Sequence, residues 1–266
     1  MVGSKKAWIS SFVMVGGVLL FFYLPILILM IFSFNDSRSL TSWAGFSLRW
    51  YEELFSSRDV ASAVGTTFIV AIISTLVSTF VGTLTAIGLS KSKKIVKDVV
   101  NSLNNLPILN PEIVTAIGLM LLFSAMNIPR GYITLLLAHI SFSIPYVILT
   151  ILPKLRSLDP NLAEAAMDLG ATPWQALVKV IVPQITPGIL SGALIAFTMS
   201  FDDFVISYFV TGGGVKNISI LVYTMSRRIN PSINALSTLM VLVITIVLII
   251  INVIPMLNKK ERIPIE

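Results

Sequence analysis

Apolar residues run along this chain in stretches of about twenty, separated by short gaps where charge collects. An α-helix rising 1.5 Å per residue needs about that length to cross a hydrocarbon core of ~30 Å. The pattern predicts six transmembrane helices over 8–34, 64–89, 106–126, 132–152, 185–209 and 236–254. The expected fold class is therefore all-α integral membrane. The first run follows Lys5 and Lys6 as a signal peptide would. It is about twice the usual length of such a segment and lacks a small-residue cleavage site, so it reads as a retained helix. Pro129, Arg130 and Gly131 must form a tight turn between the third and fourth spans.

Within the spans, polar residues recur at helical spacing. Thr67, Ser74, Ser78 and Thr85 form one stripe, and Asn234, Thr238, Thr245 and Asn252 another. Helix packing is the favoured reading of both, because small and hydroxylated side chains let membrane helices approach closely; a water-lined path is the alternative. Gly188, Gly192 and Ala196 make a ridge of small residues for which helix contact is a sufficient explanation.

Composition sharpens the membrane reading. Hydrophobic residues make up 55% of the chain and charged residues 12%, about half the charge of a soluble domain. The formal net charge of +6 invites a nucleic-acid reading, but the basic residues sit in short clusters beside apolar runs. They are topology signals, and no nucleic-acid partner is expected. Threading six spans from a cytoplasmic start puts twelve of the 19 lysines and arginines inside, with Lys91, Lys93, Lys94 and Lys97 the densest cluster. Both termini are therefore expected in the cytoplasm. Cysteine is absent, which excludes disulfides, thiolate metal sites and thiol nucleophiles; no metal site is expected. The expected divisions are an N-terminal helix with its external segment (1–63), a five-helix core (64–257) and a cytoplasmic tail (258–266).

One cytoplasmic segment, 153–184, is too long for a simple connection. Asp159 and Pro160 offer a helix cap and first turn, and Gly170 falls where a helix would stop in a left-handed turn. Thr172, Pro173 and Gln175 supply a second cap, proline start and capping-box partner, and Pro183 is expected to close that second helix. The residues Glu164-Ala165-Ala166, then Gly170, then Val180-Ile181-Val182-Pro183 resemble the EAA loop of ABC-importer permeases, with valines at 180 and 182 where that family has Ile and Leu. The resemblance implies a type I importer permease whose Glu164, Ala165, Ala166, Asp168, Gly170 and Ala171 couple to an ATPase. No G-x-x-x-x-G-K-[ST] pattern occurs, and Gly212-Gly213-Gly214 is followed by Val215 and Lys216, so it reads as a flexible turn. Cofactors on this chain are therefore expected to be none, with ATP and Mg bound by the partner.

The resemblance extends along most of the chain. Ser33-Phe34-Asn35, Trp43 to Phe46 with Trp50-Tyr51, 165–172, 197–210 with its Asp202-Asp203 pair, and Asn230-Pro231 with 233–236 are similar to spermidine/putrescine importer permeases, nearest to the second of their two membrane subunits. It implies four kinds of partner: an ABC ATPase homodimer, a second homologous permease, an external substrate-binding protein and the lipid bilayer. Importers of ferric ion, thiamine, sulfate or molybdate share the architecture and are the alternative.

Charge inside the membrane is an independent clue. Asp202 and Asp203 fall in the outer half of the fifth expected span, where each carboxylate costs about 2.5–3.5 kcal/mol or more. With no lysine or arginine at that depth, a partner is expected from another subunit, water or a cationic substrate. Thr198, one turn before Asp202, shares its face. Glu112, after Asn110 and Pro111 near the inner end of the third span, could relay a cation inward or sit as an interfacial acid. Asp202, Asp203, Thr198 and Glu112 are thus the candidate substrate-path residues, with a helix-capping role the alternative for one of the aspartates. His139, the only histidine, has no acidic neighbour in sequence and is read as a packing residue rather than a proton relay. No catalytic residue is expected: adjacent carboxylates on one helix point about 100° apart, unlike the facing pair of an aspartyl enzyme. A passive channel is the remaining class, and the coupling loop argues against it.

Overall fold

The computed structural model describes residues 5–39, 42–227 and 230–260, with side-chain surroundings over 11–39, 42–227 and 230–246 and at 249. Of the 19 lysines and arginines, Arg228 and Arg262 lie outside these residues, and Asn252 lies outside the described side chains. In chain order the helices are α1 (Lys5–Phe32), α2 (Arg49–Ser56), α3 (Arg58–Ser90), α4 (Lys94–Leu109), α5 (Glu112–Ala125), α6 (Tyr132–Arg156), α7 (Leu162–Asp168) and α8 (Pro173–Ala176). A π-helical turn, Leu177–Ile181, leads into α9 (Val182–Asp202), followed by α10 (Val205–Val210), α11 (Ile218–Arg227) and α12 (Ser232–Lys260). Two compact units result: residues 1–60 with 222–266, and residues 61–221.

In the first unit α12 packs against both α1 and α2. Helix α1 is apolar around its circumference and leaves side chains such as Phe12, Phe21 and Phe22 exposed, as a helix solvated by lipid does. The segment that follows it is tied by Asn35. Its Oδ1 accepts from Ala44 N (2.8 Å), its Nδ2 donates to the Ser42 carbonyl (2.8 Å), and its own carbonyl accepts from the Trp50 indole (2.7 Å). Ser33 Oγ meets the Tyr51 hydroxyl at 2.7 Å and Phe34 stacks on Phe46. The Ser-Phe-Asn and Trp-Tyr motifs of the sequence are thus one folded clasp, with Trp50 and Leu54 of α2 buried.

The second unit is organised by α3, α6 and α9. Val147 of α6 lies between two glycines: a Cβ built on Gly82 of α3 would fall 2.7 Å from Val147 Cγ1, and one on Gly192 of α9 only 2.5 Å from Thr150 Oγ1. Only glycine lets these backbones approach so closely. Gly188, Gly192 and Ala196 are buried, as the small-residue ridge predicts. Thr67, Ser74 and Ser78 are buried too, so packing describes that stripe. Thr67 Oγ1 accepts from Ile218 N at 2.8 Å, holding the start of α11. In the other stripe Asn234 and Thr238 are buried while Thr245 is exposed.

Among the described residues, four helical stretches are long and apolar enough to cross a membrane: Ser11–Phe32, Arg58–Ser90, Tyr132–Arg156 and Pro173–Asp202. The third expected span departs from a simple helix. Helices α4 and α5 are bent by 107° at Asn110–Pro111 and count together as at most one more span. Pro111 carries no N–H and pushes Asn110 to extended backbone (φ −78°, ψ 143°), so the helix cannot run through. The fifth expected span also breaks, after Asp202, where Asp203 is extended (ψ 126°) and α10 starts afresh. Conversely, Pro183 ends nothing. Helix runs from Pro173 to Asp202, because a wide π turn, closed by Val182 N on the Leu177 carbonyl, immediately precedes the proline and gives its ring room.

Candidate functional site

The sequence-predicted acids converge at the two helix breaks, and they divide into different roles. Asp202 is the last residue of α9 and is exposed; Thr198, one turn earlier on α9, is exposed as well. Asp203, the next residue, is 5% exposed. Its Oδ1 accepts from Ile206 N (3.2 Å) and its Oδ2 from both Ser207 N and Ser207 Oγ (2.7 Å each), so it caps the first turn of α10. The outside partner expected for both aspartates is not needed for this one: His139 Nε2 lies 3.4 Å from its Oδ2. Asp203 thus takes the helix-capping role that was the alternative for one of the aspartates.

Glu112 occupies the first position of α5, directly after the Pro111 break. Sequence spacing puts it at the inner end of its span, far from the aspartates. The 107° bend instead brings its carboxyl beside that of Asp203, with Asp202 the next acid. It opens into a small cavity of about 90 Å³ shared with Thr115, Phe142, Tyr146 and Met199. Carboxylates held this close disfavour their joint ionisation unless a cation or proton joins them. His139 is the residue the sequence reading underestimated. It is 1% exposed and touches Ser200, Ser207 and Asp203 from a position 64 residues before the aspartate, a separation at which no local pattern reports contact.

At the far end of α9 the loop is built from its punctuation. Asp159 Oδ1 accepts from Asn161 N (2.9 Å), so the turn it makes delays the start of α7 to Leu162. Gly170 has φ +90°, and it closes α7 with two bonds: Gly170 N to the Met167 carbonyl (2.9 Å) and Ala171 N to the Ala166 carbonyl (3.1 Å). The capping box is present, with Thr172 Oγ1 accepting from Gln175 N and Gln175 Oε1 from Thr172 N. Glu164, Ala165 and Asp168 are exposed, and between them the two short helices present Leu169 (91% exposed) and Trp174 (70%). Glu164 also borders a cavity of about 700 Å³ whose rim carries Lys91, Lys97 and Arg156.

Among the described residues the chain is helical, with several membrane-length helices, one bent pair at Asn110–Pro111 and a break after Asp202 lined by buried polar groups. Residues 78–258 match the family described as "Binding-protein-dependent transport system inner membrane component", and the chain belongs to that family. The putrescine transport system permease protein PotI of Escherichia coli (strain K12) is 39% identical over 251 residues, covering 91% of this chain and 89% of that protein. The spermidine/putrescine transport system permease protein PotC of Haemophilus influenzae is 37% identical over 233 residues (87% and 90%), and that of Escherichia coli K12 is 36% identical over 231 (86% and 87%). Among solved structures, a bacterial ABC transporter for import of the acidic polysaccharide alginate has a chain that superposes with TM-score 0.67 at 19% identity, over 93% of this chain and 94% of that one. A related crystal structure, with an alginate pentasaccharide-bound periplasmic protein, gives TM-score 0.64 at 17% identity over 91% and 93%. At these identities the structures share the fold.

Proposed function

We propose that this chain is a permease subunit of an ATP-driven importer of polyamines, carrying spermidine, putrescine or both into the cytoplasm. The observation that carries the reading is a group of three acids at two helix breaks: Glu112, exposed, beside the buried Asp203, and Asp202, exposed, next to Asp203 in the chain. A linear polycation satisfies that charge with its ammonium groups; an oxyanion is repelled by it. The resemblance to PotI and PotC over most of the chain supports the same substrate class. In this reading the chain crosses the inner membrane six times, with both termini cytoplasmic and α12 as the last crossing. It pairs with a homologous permease and receives substrate from an external binding protein. An ABC ATPase homodimer that binds ATP and Mg docks on the exposed apolar surface around Leu169 and Trp174.

The test is uptake of labelled spermidine, putrescine, thiamine and ferric ion by cells with and without the intact transporter. Loss confined to the polyamines is the expected result; loss of thiamine or ferric ion uptake instead replaces the substrate. Asp202→Asn keeps size and hydrogen-bonding capacity but removes the charge. It is expected to lower polyamine uptake about tenfold to a hundredfold at matched membrane abundance, because hydrogen bonds to charged groups contribute ~1.5–3 kcal/mol. Wild-type uptake by this variant removes Asp202 from the path.

Docking has its own check. Glu164→Lys is expected to cut copurified ATPase about tenfold, ~1.4 kcal/mol, by replacing attraction with repulsion at the docking surface. Glu164→Gln, which removes charge without reversing it, should fall between. Full ATPase recovery with both variants moves the docking surface away from Glu164.

A further inference from the structure

The polar cluster around His139 does more than fill space. Its imidazole reaches across the α9–α10 break: Nδ1 lies 2.6 Å from Ser200 Oγ in the last turn of α9, and Nε2 lies 3.0 Å from Ser207 Oγ in the first turn of α10. The same Nε2 stands 3.4 Å from Asp203, the residue at the break itself. Ser74 of α3 donates to Ser200 Oγ at 3.0 Å. Asn217 donates from Nδ2 to the Asp203 carbonyl (3.1 Å) and to Ser207 Oγ (2.8 Å). Ser74, His139, Ser200, Asp203, Ser207 and Asn217 are all at least nine-tenths buried. The hydrogen-bond directions close when the ring carries its proton on Nε2: Ser74 donates to Ser200, Ser200 to Nδ1, and Nε2–H points at Ser207 and Asp203.

A break in a membrane helix frees backbone groups and leaves the two pieces hinged. Here one ring bonded to both pieces removes that hinge. The residue whose placement depends on it is Asp202, fixed between Ser200 and Asp203, with its carbonyl further held by Ser219 Oγ at 3.2 Å. We propose that His139 and Asp203 are positioning residues, a clamp that locks the α9–α10 break and so sets the direction in which the exposed Asp202 carboxylate is offered to the substrate. This rests on the reading of Asp202 as a substrate-path residue, and it assigns the buried aspartate and the single histidine a task in transport without contact with the cargo. Packing alone would be served by an apolar side chain; a fully satisfied polar network instead specifies one arrangement.

The chain contains no cysteine, so Asp202→Cys places a unique thiol in it. The experiment measures the modification rate of that thiol by a cationic methanethiosulfonate reagent, in the assembled transporter in proteoliposomes, with His139 and Asp203 intact or altered. His139→Ala and Asp203→Asn are each expected to change the rate about fivefold or more, since a displacement near 1 Å alters reactive geometry strongly. His139→Gln, which keeps an N–H donor, should stay within about twofold of the parent. A reference thiol from Ser157→Cys, exposed at the cytoplasmic end of α6, should be unaffected. Unchanged rates at position 202 in both altered backgrounds overturn the clamp. Equal changes at 157 and 202 also overturn it, because they indicate general loosening. Uptake by Asp202→Asn is read separately: if that variant transports normally, the substrate-path reading fails while the thiol rates still decide whether the clamp exists.

Discussion

Gly192→Leu is expected to abolish accumulation of folded protein in the membrane. A Cβ at position 192 would already stand 2.5 Å from Thr150 Oγ1, 3.2 Å from Val147 Cα and 3.3 Å from Val147 Cγ1, and the Val147 Cα, a backbone atom, cannot rotate away. The three long helices of the second unit all meet at Val147, so α6 cannot retreat from α9 without driving Val147 further into Gly82. Overpacking by a methylene or two typically costs ~1–3 kcal/mol, and leucine adds an isobutyl group where a hydrogen now sits. Gly192→Ala should therefore destabilise by about 1–3 kcal/mol, and Thr150→Ala in the same chain should recover part of that loss by removing the nearest atom. Gly118→Ala is the control, since nothing lies within 4 Å of its Cβ direction. Monodisperse yield after solubilisation, with unfolding in denaturing detergent, reads the series. Normal yield from Gly192→Leu would show that α6 and α9 do not approach this closely.

The second large effect is functional. Gly170→Val should leave insertion and abundance intact while transport collapses. Nothing lies within 4 Å of the Cβ position at Gly170, so the obstacle is conformational: φ is +90°, where a β-branched residue is strongly disfavoured. The strain is ~1–3 kcal/mol, relieved by opening the turn and losing the two bonds that close α7. Leu169, on one side of the glycine, and Trp174, on the other, then no longer share one rigid platform. The expected signature is loss of substrate-stimulated ATP hydrolysis and of uptake together, with Gly170→Ala intermediate and Gly170→Asn milder, since Asn tolerates the left-handed region better. Normal uptake and stimulation in Gly170→Val would remove the turn from coupling.

The punctuation of the loop could be read in advance because each of its signals acts within a few residues. A glycine that must adopt positive φ, a threonine that caps the third N–H ahead of it and a glutamine that reaches back all find their partners on the same turn. Pro183 was misleading because its effect depends on the turn before it, and a π turn is not encoded by any one residue there. The third span misled differently. Pro111 marks where the helix stops, but the size of the bend, and with it the place of Glu112 beside Asp203, depends on what α4 and α5 pack against.

Helix content, the long apolar helices and the turn at Gly170 were determined by the sequence alone, since apolar run length and local backbone chemistry do not depend on distant partners. Helices α2 and α11 were not foreseen, being short elements whose apolar faces make sense only against neighbours distant in sequence, such as α12 for α2. The division of the two adjacent aspartates was decided by tertiary structure. Asp202 and Asp203 are chemically identical neighbours, and any reading of spacing treats them alike. Their fates part because the helix ends between them, turning one carboxylate outward and the other onto α10 beside a histidine 64 residues away. Long-range contact is a property of packing, and at this site packing decides which acid is exposed and which is buried.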